Sequence, residues 1–291
     1  MKYYRYMSFK RGMEVLRTGH FRLSPISCFN DPFDGYGVTT RSMTDEACWY
    51  FVKRFRKNLQ RMFVSELGQI ESLISASDEE YVDIVQETLK NPRQAYFVAE
   101  AVREWLCSPQ YQLMCLSSVD DYDGRNDILM WSHYADSSKG MRFEIEITDE
   151  DILPGFSFRK MKYSDSRPLL DLSKVRTWDY NDAEFNRYLD DCMCMKSKAW
   201  QYESEVRFIA DMEKCKYNIR KGYDDVERYN YAYVIFPSNV IRKVVFCVSA
   251  NRVEVEEVCK KLRRDKTFGE VEFLQMELNL KNYEIKYTSL I

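Results

Sequence analysis

The sequence predicts an α+β fold, with a mixed, largely antiparallel central sheet and a helical insertion near the N-terminal third of the chain. Three observations support this prediction. Short apolar or alternating segments typical of strands occur towards both ends of the chain. A long segment with helical periodicity lies between them, over residues 44–106. Aromatic residues, which favour strands, make up 15% of the chain, with 21 Tyr and 17 Phe.

The chain begins with a predicted strand, helix and strand. Residues 3–7 read as a short strand, and residues 12–17 as a helix that Gly19 terminates. A second strand over residues 21–24 is stopped by Pro25. This order of elements suits a mixed sheet.

The helical insertion follows. Asp45 fits the first turn of a helix, and apolar residues recur at helical spacing through Phe51, Phe55 and Leu59. Pro92 breaks the run before a further helix over residues 94–106. We therefore predict one α+β domain over residues 1–291, in which residues 44–106 are an insertion or a cap over the sheet.

Most of the remaining chain has strand character. The clearest strand is residues 141–147, where apolar and charged residues alternate strictly, which predicts a half-exposed strand. Asp127 can cap a short helix, and residues 120–125 read as a turn-rich loop. Further strands are predicted over residues 112–117, 158–163, 206–210, 234–236, 244–248, 271–278 and 283–288, and helices over 127–135, 183–195 and 252–264.

Length and composition limit the class of protein. A chain of 291 residues with 45% apolar and 31% charged residues can bury a substantial core and is typical of a soluble globular protein. The formal net charge of −3 gives no strong signature of nucleic-acid binding. No run of about 18 apolar residues occurs, so we expect no membrane span and a cytoplasmic location.

Cysteine and histidine usage argues against disulfides and zinc. The nine cysteines are scattered and odd in number, as expected of reduced thiols. With only two histidines a structural zinc site is not expected, and no metal site is assigned. A glycine-rich phosphate loop and the GxGxxG, HExxH and GxSxG patterns are also missing from the sequence.

The most informative segment is residues 198–209, which contains Glu203 and Glu205 beside the predicted strand over 206–210. Residues i and i+2 of a strand share a face, so both carboxylates can enter one cleft. Such a pair can serve as general acid and base, hold a metal ion, or bind a pair of sugar hydroxyls. Alternatively, the two glutamates form surface ion pairs with Arg207, Lys196 or Lys198.

A second polar and aromatic cluster lies over residues 130–135. His133 can act as a base or bind a phosphate or amide, and Trp131 and Tyr134 can stack on a ligand ring. The alternative is that His133 binds a backbone carbonyl and that both aromatic rings belong to the core.

A third cluster lies over residues 29–34. Asn30 and Asp31 are candidates for the same site, although their composition is also that of an ordinary turn. Arg5 and Arg22 lie on the first two strands, where an inward arginine needs a carboxylate or phosphate partner. Either is a candidate diphosphate clamp or an edge-strand charge. Three such clusters, far apart in sequence, suggest one site assembled by the fold, and hence an enzyme.

These motifs resemble a bacterial family of unknown function. Its members share an FNDPFE-like loop, an MWSHYA-like box and a W-x-x-E-x-E-x-R box. The corresponding segments here are residues 4–6, 29–34, 130–135, Gly140, Lys198 and 200–207. Asp34 stands where the family loop often has Glu. The resemblance spans nearly the whole chain and implies no particular reaction, although such families often serve in toxin or phage-defence systems.

The order of elements is also similar to the ADP-ribosyltransferase fold, whose members transfer ADP-ribose from NAD. This weaker resemblance implies that Glu205 is the catalytic carboxylate and Glu203 an acceptor-side residue. Arg5 would hold the diphosphate or ribose, and His133 or Tyr134 would line the nicotinamide pocket. The remaining candidate cofactor contacts are Tyr6, Asn30, Asp31 and Trp131. The middle S-T-S motif of that fold has only a faint counterpart, at residues 116–118.

Two other classes of function stay open. A metal-dependent nuclease or hydrolase would place Mg²⁺ or Mn²⁺ among Asp31, Asp34, Glu203 and Glu205. A non-enzymatic protein would use the three clusters to sense a ligand or bind a partner. The leading hypothesis is a transferase that binds a small-molecule nucleotide, NAD, and acts on an unknown acceptor.

Overall fold

The computed structural model describes the chain except for residues 68–74, 92–95, 109, 119–126, 217, 225–228, 237–238 and 265–267. The chain divides into two compact units. The first unit comprises Met1–Ser24, Gln112–Met161 and Ala199–Ile291, and the second comprises Pro25–Tyr111 and Lys162–Lys198. The organisation as one domain with an insertion over 44–106 stays a prediction.

The elements are as follows. The helices are α1 (Phe9–Thr18), α2 (Asp45–Leu67), α3 (Asp78–Lys90), α4 (Phe97–Leu106), α5 (Asp127–Tyr134), α6 (Ala183–Cys194) and α7 (Arg252–Leu262). The strands are β1 (Lys2–Met7), β2 (Phe21–Leu23), β3 (Val38–Thr39), β4 (Tyr111–Ser118), β5 (Met141–Glu146), β6 (Phe156–Lys160), β7 (Lys162–Ser164), β8 (Leu169–Leu170), β9 (Met195–Ser197), β10 (Glu205–Asp211), β11 (Ile219–Asp224), β12 (Tyr229–Val234), β13 (Ile241–Phe246), β14 (Glu272–Leu278) and β15 (Ile285–Ser289).

A large mixed sheet forms the centre of the first unit. Its strand order is β15-β14-β13-β5-β1-β4-β10-β6. Strand β5 pairs antiparallel with β1 and with β13, whereas β13 and β14 are parallel. A parallel pair needs a crossover connection, which α7 supplies. The predicted α+β fold with a mixed, largely antiparallel sheet is confirmed.

The environment of strand β5 differs from the predicted one. Its charged residues Arg142 and Glu144 are buried, with 6% and 8% of their surface exposed, so the strand is not half-exposed. The reason is its central position between β1 and β13. Strict alternation of apolar and charged residues shows which residues share a face, but it does not show whether the charged face meets water or polar partners.

Other differences between the prediction and the structure concern the residues at which strands begin and end. The predicted strand over 158–163 is two strands, β6 and β7, separated at Met161. The strand predicted over 234–236 lies earlier, as β12, because it pairs with both β2 and β11. The short strands β3, β8, β9 and the strand β11 were not predicted. The loop predicted over 120–125 lies outside the described residues, as does the break at Pro92.

Two apolar clusters cover the sheet of the first unit. The larger includes Tyr3, Met7 and Phe143, and a smaller one includes Tyr6 and Trp131 from β1 and α5. Trp131 is completely buried. Burying a large apolar side chain contributes about 1.5–3 kcal/mol, so the smaller cluster anchors α5 firmly against its side of the sheet.

The second unit is built on helices and aromatic packing. Trp178 is completely buried, and its ring contacts those of Phe51 and Phe185 at centroid distances of 4.7 and 5.3 Å. Its Nε1 donates to the backbone carbonyl of Ala47 at 2.9 Å. The indole therefore joins α2 to the segment that leads into α6.

Asp182 is the N-cap of α6, and it connects that helix to the chain before it. Its carboxylate accepts hydrogen bonds from the backbone N–H groups of Phe185, Arg176 and Thr177 at 3.0, 2.6 and 3.0 Å. Burial by itself raises the pKa of Asp182, but these N–H donors outweigh burial and hold the pKa below its ordinary value of 3.8.

We expect Asp182→Ala to lower the free energy of unfolding by about 2 kcal/mol, because a cap and two further backbone partners are lost. The wild-type stabilisation is fully present above pH 3.8 and is lost as pH falls through the lowered folded-state pKa. Urea unfolding between pH 3 and pH 7 measures both effects. Asp182→Asn, which keeps an acceptor, should lose less stability and show a flatter pH dependence. An unchanged pH dependence in both variants would contradict this account.

Among the described residues, no helix is both long and apolar enough to cross a bilayer. None of the nine cysteines, all of which lie among the described residues, forms a disulfide bond. Burial raises the pKa of Cys48 and Cys192 to about 12, so these two thiols are poor nucleophiles near neutral pH.

Candidate functional site

Helix α5 carries the histidine and tyrosine of the second cluster. Trp131 faces the core, Tyr134 is half-buried and His133 is exposed. The helix ends in three successive left-handed residues at 136–138, with φ of 51°, 53° and 65°. At Gly140, a Cβ atom would lie 2.1 Å from the carbonyl oxygen of Met7. Only glycine allows this approach, which fixes the end of the helix beside β1.

The segment with the two glutamates turns sharply between them. Glu203 ends a 3₁₀ helix, Ser204 has a left-handed φ of 45°, and Glu205 begins β10. The prediction that both glutamates lie on one strand face is therefore wrong, because strand alternation does not extend across this turn. The backbone N–H of Ser118 donates to the carbonyl of Ser204 at 3.0 Å and holds the turn against β4.

Glu205 forms an ion pair inside the protein. Its Oε1 accepts from Nε of Arg207 at 2.7 Å, and the two side chains are 3% and 0% exposed. The two residues are i and i+2 of β10, so strand alternation does place their side chains on one face. Arg207 was one of the predicted surface partners, but the pair is buried. A buried carboxylate and guanidinium compensate each other's loss of hydration.

Glu203 connects the segment with the two glutamates to the second cluster. Its carboxylate is 3% exposed and accepts a hydrogen bond from the hydroxyl of Tyr134. Beside it, Nδ1 of His133 lies 2.8 Å from the hydroxyl of Tyr202. In both contacts the structure brings together residues that are 69 positions apart in the sequence.

Arg5 of β1 lies near the same groups. Its Nη1 donates to the carbonyl of Cys115 at 2.6 Å. Burial lowers the pKa of Arg5, and its neighbours Cys115, Glu205 and Tyr134 act in the opposite direction. An arginine remains protonated under ordinary conditions, so Arg5 places a fixed positive charge within the electrostatic range of Glu205. We call Arg5, Tyr134, Glu203, Glu205 and Arg207 the carboxylate cluster.

Two predicted ligand contacts, Tyr6 and Trp131, belong to a different polar network. The hydroxyl of Tyr6 donates to Asp127, which also pairs with Nη1 of Arg142 at 3.2 Å. Nε1 of Trp131 donates to the hydroxyl of Tyr287 at 3.2 Å, and that hydroxyl donates to Asp127. The network gives the buried carboxylate of Asp127 partners from β1, β5 and β15. A role of Tyr6 and Trp131 in ligand binding stays a prediction.

Asp127, Arg142 and Tyr287 were not predicted as members of any site. The helix start at Asp127 and the alternating strand that contains Arg142 were both recognised in the sequence. Their pairing could not be predicted because it depends on α5 packing against β1, the neighbour of β5 in the sheet. Tyr287, from the last strand, gave no local signal at all.

The third cluster belongs to the second unit, where it forms a turn. Oδ1 of Asp31 accepts from the backbone N–H of Phe33 at 2.9 Å, and its carbonyl accepts from the N–H of Asp34 at 3.1 Å. Asp31 and Asp34 are buried, whereas Asn30 is exposed. The alternative that these residues form an ordinary turn therefore accounts for Asp31, which binds backbone N–H groups two and three residues later in the chain.

Metal binding is the alternative role for the carboxylates of the first and third clusters. Among the residues that the structure describes, no group of three or more His, Cys, Asp or Glu side chains is arranged to hold a metal ion. The Mg²⁺ or Mn²⁺ alternative gains no support from the described residues and stays a prediction.

Comparison with known proteins relates part of the chain to a protein family. No curated protein and no solved structure matches the chain. A family model covers the second cluster and both glutamates but not the third cluster at residues 29–34, and this confirms the predicted resemblance to a family of unknown function. Residues 130–208 match the family described as "Protein of unknown function (DUF2971)".

Proposed function

We propose that the chain is an NAD-dependent, ADP-ribosyltransferase-like enzyme that transfers ADP-ribose to an acceptor. One observation carries the proposal: the segment with the two glutamates is bonded to α5 through Glu203 and Tyr134, and to β4 through Ser204. Arg5 of β1 is bonded to the same strand β4, at the carbonyl of Cys115. A cation, a phenol and a buried carboxylate from three distant parts of the chain thus belong to one cluster. The similarity in element order to the ADP-ribosyltransferase fold assigns a role to each.

Glu205 would act on the charge that develops during the reaction. The bond between the nicotinamide nitrogen and C1′ of the ribose breaks, and its electron pair leaves with neutral nicotinamide. The ribose then carries oxocarbenium character, which a carboxylate in a water-poor site stabilises. The acceptor forms the new bond to C1′ and loses a proton. Arg207 holds Oε1 of Glu205 and so fixes the orientation of this carboxylate.

The other members of the cluster bind and orient. Arg5 would pair with the diphosphate or a ribose of NAD, since a guanidinium binds phosphate oxygens well. Glu203, which accepts from Tyr134, would lie on the acceptor side. His133 is exposed and is held by Tyr202, so it would line the opening through which nicotinamide leaves.

Calorimetry with NAD, together with a nicotinamide-release assay, tests this proposal. We expect the wild type to bind NAD and to release nicotinamide slowly, and Glu205→Gln to reduce the release rate by about 100-fold or more. Glu150→Gln, which changes an exposed glutamate of the first unit, serves as the control and should match the wild type.

Folding must be separated from chemistry in this experiment. The double variant Glu205→Gln/Arg207→Met removes both charges of the buried pair, so it should fold while it still lacks the catalytic carboxylate. A folded double variant that releases nicotinamide at the wild-type rate would contradict the role of Glu205. A wild type that neither binds NAD nor releases nicotinamide at millimolar NAD would overturn the proposal as a whole.

The proposal extends to a role as a bacterial toxin or phage-defence effector, on the strength of the family resemblance alone. Growth arrest of a bacterial host on expression of the wild type, and normal growth on expression of the folded double variant Glu205→Gln/Arg207→Met, would support this role. Equal effects of both proteins would favour a non-enzymatic partner-binding protein instead.

A further inference from the structure

A cavity of about 190 Å³ lies in the first unit, and its lining is rich in arginine. It is formed by α1 and strands β1, β2 and β12. The titratable side chains at its wall are those of Arg5, Arg11, Glu14, His20, Arg22 and Tyr233. Only Arg5 is shared with the carboxylate cluster.

Local structure explains why these residues meet. Helix α1 ends at Gly19, whose φ of 70° is left-handed, and the chain turns directly into β2. Strand β2 pairs antiparallel with β12, so Arg22 lies opposite Tyr233. Side chains of such a pair share a face. Their neighbours in both strands, Phe21 and Val234, point into the larger apolar cluster.

The cationic groups of the cavity are held in place by neighbours. The guanidinium carbon of Arg22 lies 3.9 Å from the ring centroid of Tyr231, which is a close cation–π contact. Nη1 of Arg11 binds Glu14 at 3.2 Å, and the hydroxyl of Tyr233 donates to the same carboxylate. Burial, and then the bond to Glu14, raise the pKa of Tyr233, so it remains a neutral donor.

The lining therefore has an excess of positive charge. Three arginines and one glutamate give it a formal charge of +2 when His20 is neutral. Glu14, the carboxylate of the lining, binds both Arg11 and Tyr233, and the lining carries more guanidinium groups than carboxylates. Such a cavity attracts an anion, and planar guanidinium groups are well suited to the oxygens of a phosphate.

The volume limits the size of the anion. Pockets that enclose a whole drug-sized ligand measure roughly 300–1,000 Å³, so this cavity is too small for an entire dinucleotide. It has room for one or two phosphate groups. We propose that this cavity, the arginine pocket, binds the phosphate or diphosphate group of a small phosphorylated molecule, with Arg22 and Arg11 as its main anion contacts. This inference does not require that the ligand be NAD or that the chain be an enzyme.

Calorimetry with inorganic pyrophosphate at low salt tests the inference on the full chain. We expect wild-type binding, and an affinity lower by about 10-fold to 100-fold in Arg22→Met, since this variant loses a charge-assisted contact to the anion. Arg17→Met removes an exposed charge from the same helix outside the cavity and should change the affinity less than twofold.

A second variant covers the case in which Arg22→Met does not fold. Arg11 is 35% exposed, so Arg11→Met should fold and should also weaken pyrophosphate binding. A rise in Tm with pyrophosphate, present in the wild type and smaller in Arg11→Met, provides an independent readout. No binding by the wild type at millimolar pyrophosphate, or equal binding by the wild type and both pocket variants, would overturn the inference.

The same measurements separate this inference from the proposed enzyme. Pyrophosphate binding should persist in Glu205→Gln/Arg207→Met, because neither residue lines the cavity. Pyrophosphate binding without nicotinamide release would support the arginine pocket and argue against the transferase. Nicotinamide release without pyrophosphate binding would support the transferase and reject the pocket.

Discussion

Glu205→Gln should lower the free energy of unfolding by about 3–5 kcal/mol, because it deprives the completely buried Arg207 of its carboxylate partner. The cost is large because the remaining guanidinium stays away from bulk water and its charge is no longer balanced by Glu205. Urea unfolding of the wild type and the variant measures this difference. If the single variant loses less than about 1 kcal/mol, the pair behaves like a surface ion pair and the account of its burial is wrong.

A double-mutant cycle isolates the interaction between the two side chains. Arg207→Met should also be destabilising, because it leaves the carboxylate of Glu205 buried without this guanidinium. The double variant should lose less than the sum of the two single changes, with a coupling energy of roughly 0.5–3 kcal/mol. The control is Glu272→Gln, which breaks the exposed pair with Lys243 and should cost less than about 1 kcal/mol.

The second large effect is expected at Asp127. Its carboxylate accepts hydrogen bonds from Tyr6 and Tyr287 and pairs with the buried Arg142 at 3.2 Å. We expect Asp127→Asn to lower the free energy of unfolding by about 3 kcal/mol, because an amide does not balance the charge of Arg142. The rings of Tyr4 and Tyr287, at 4.5 and 4.3 Å from the guanidinium carbon, would compensate part of this loss.

Thermal unfolding followed by near-ultraviolet circular dichroism is a suitable measurement, because Trp131 is bonded to Tyr287 in the same network. The native-state signal should change as well as the Tm. Asp136→Asn replaces an exposed carboxylate just beyond α5, and it should change stability by less than about 0.5 kcal/mol. Indistinguishable Tm values for the wild type and Asp127→Asn would show that this network does not stabilise the fold.

Much of the secondary structure was determined by short segments of sequence. Gly19 ends α1 at the predicted place, and the structure confirms helix α5 after Asp127 and helix α7 within residues 252–264. Caps, glycine stops and apolar periodicity act within one or two helical turns, so they can be recognised without knowledge of the rest of the chain. The α+β class follows from the same local signals.

The environment of each strand was decided by its neighbours. Alternation in β5 correctly separated Arg142 and Glu144 from the apolar residues, but their burial depends on the two adjacent strands and on α5. Likewise, the sequence singled out Glu203 and Glu205. Their true arrangement depends on a left-handed Ser204, which β4 holds through the backbone N–H of Ser118.

The arginine pocket shows the same division between sequence and tertiary structure. Arg5 and Arg22 were recognised as unusual charges on strands, since a charged side chain on a predicted strand needs a partner. Tyr233 joins them only because β12 pairs with β2, across about two hundred residues of chain. The sequence by itself determined the helix and strand types and the chemistry that is present. Tertiary structure alone decided which charges are buried together, because burial and pairing depend on residues that are distant in the chain.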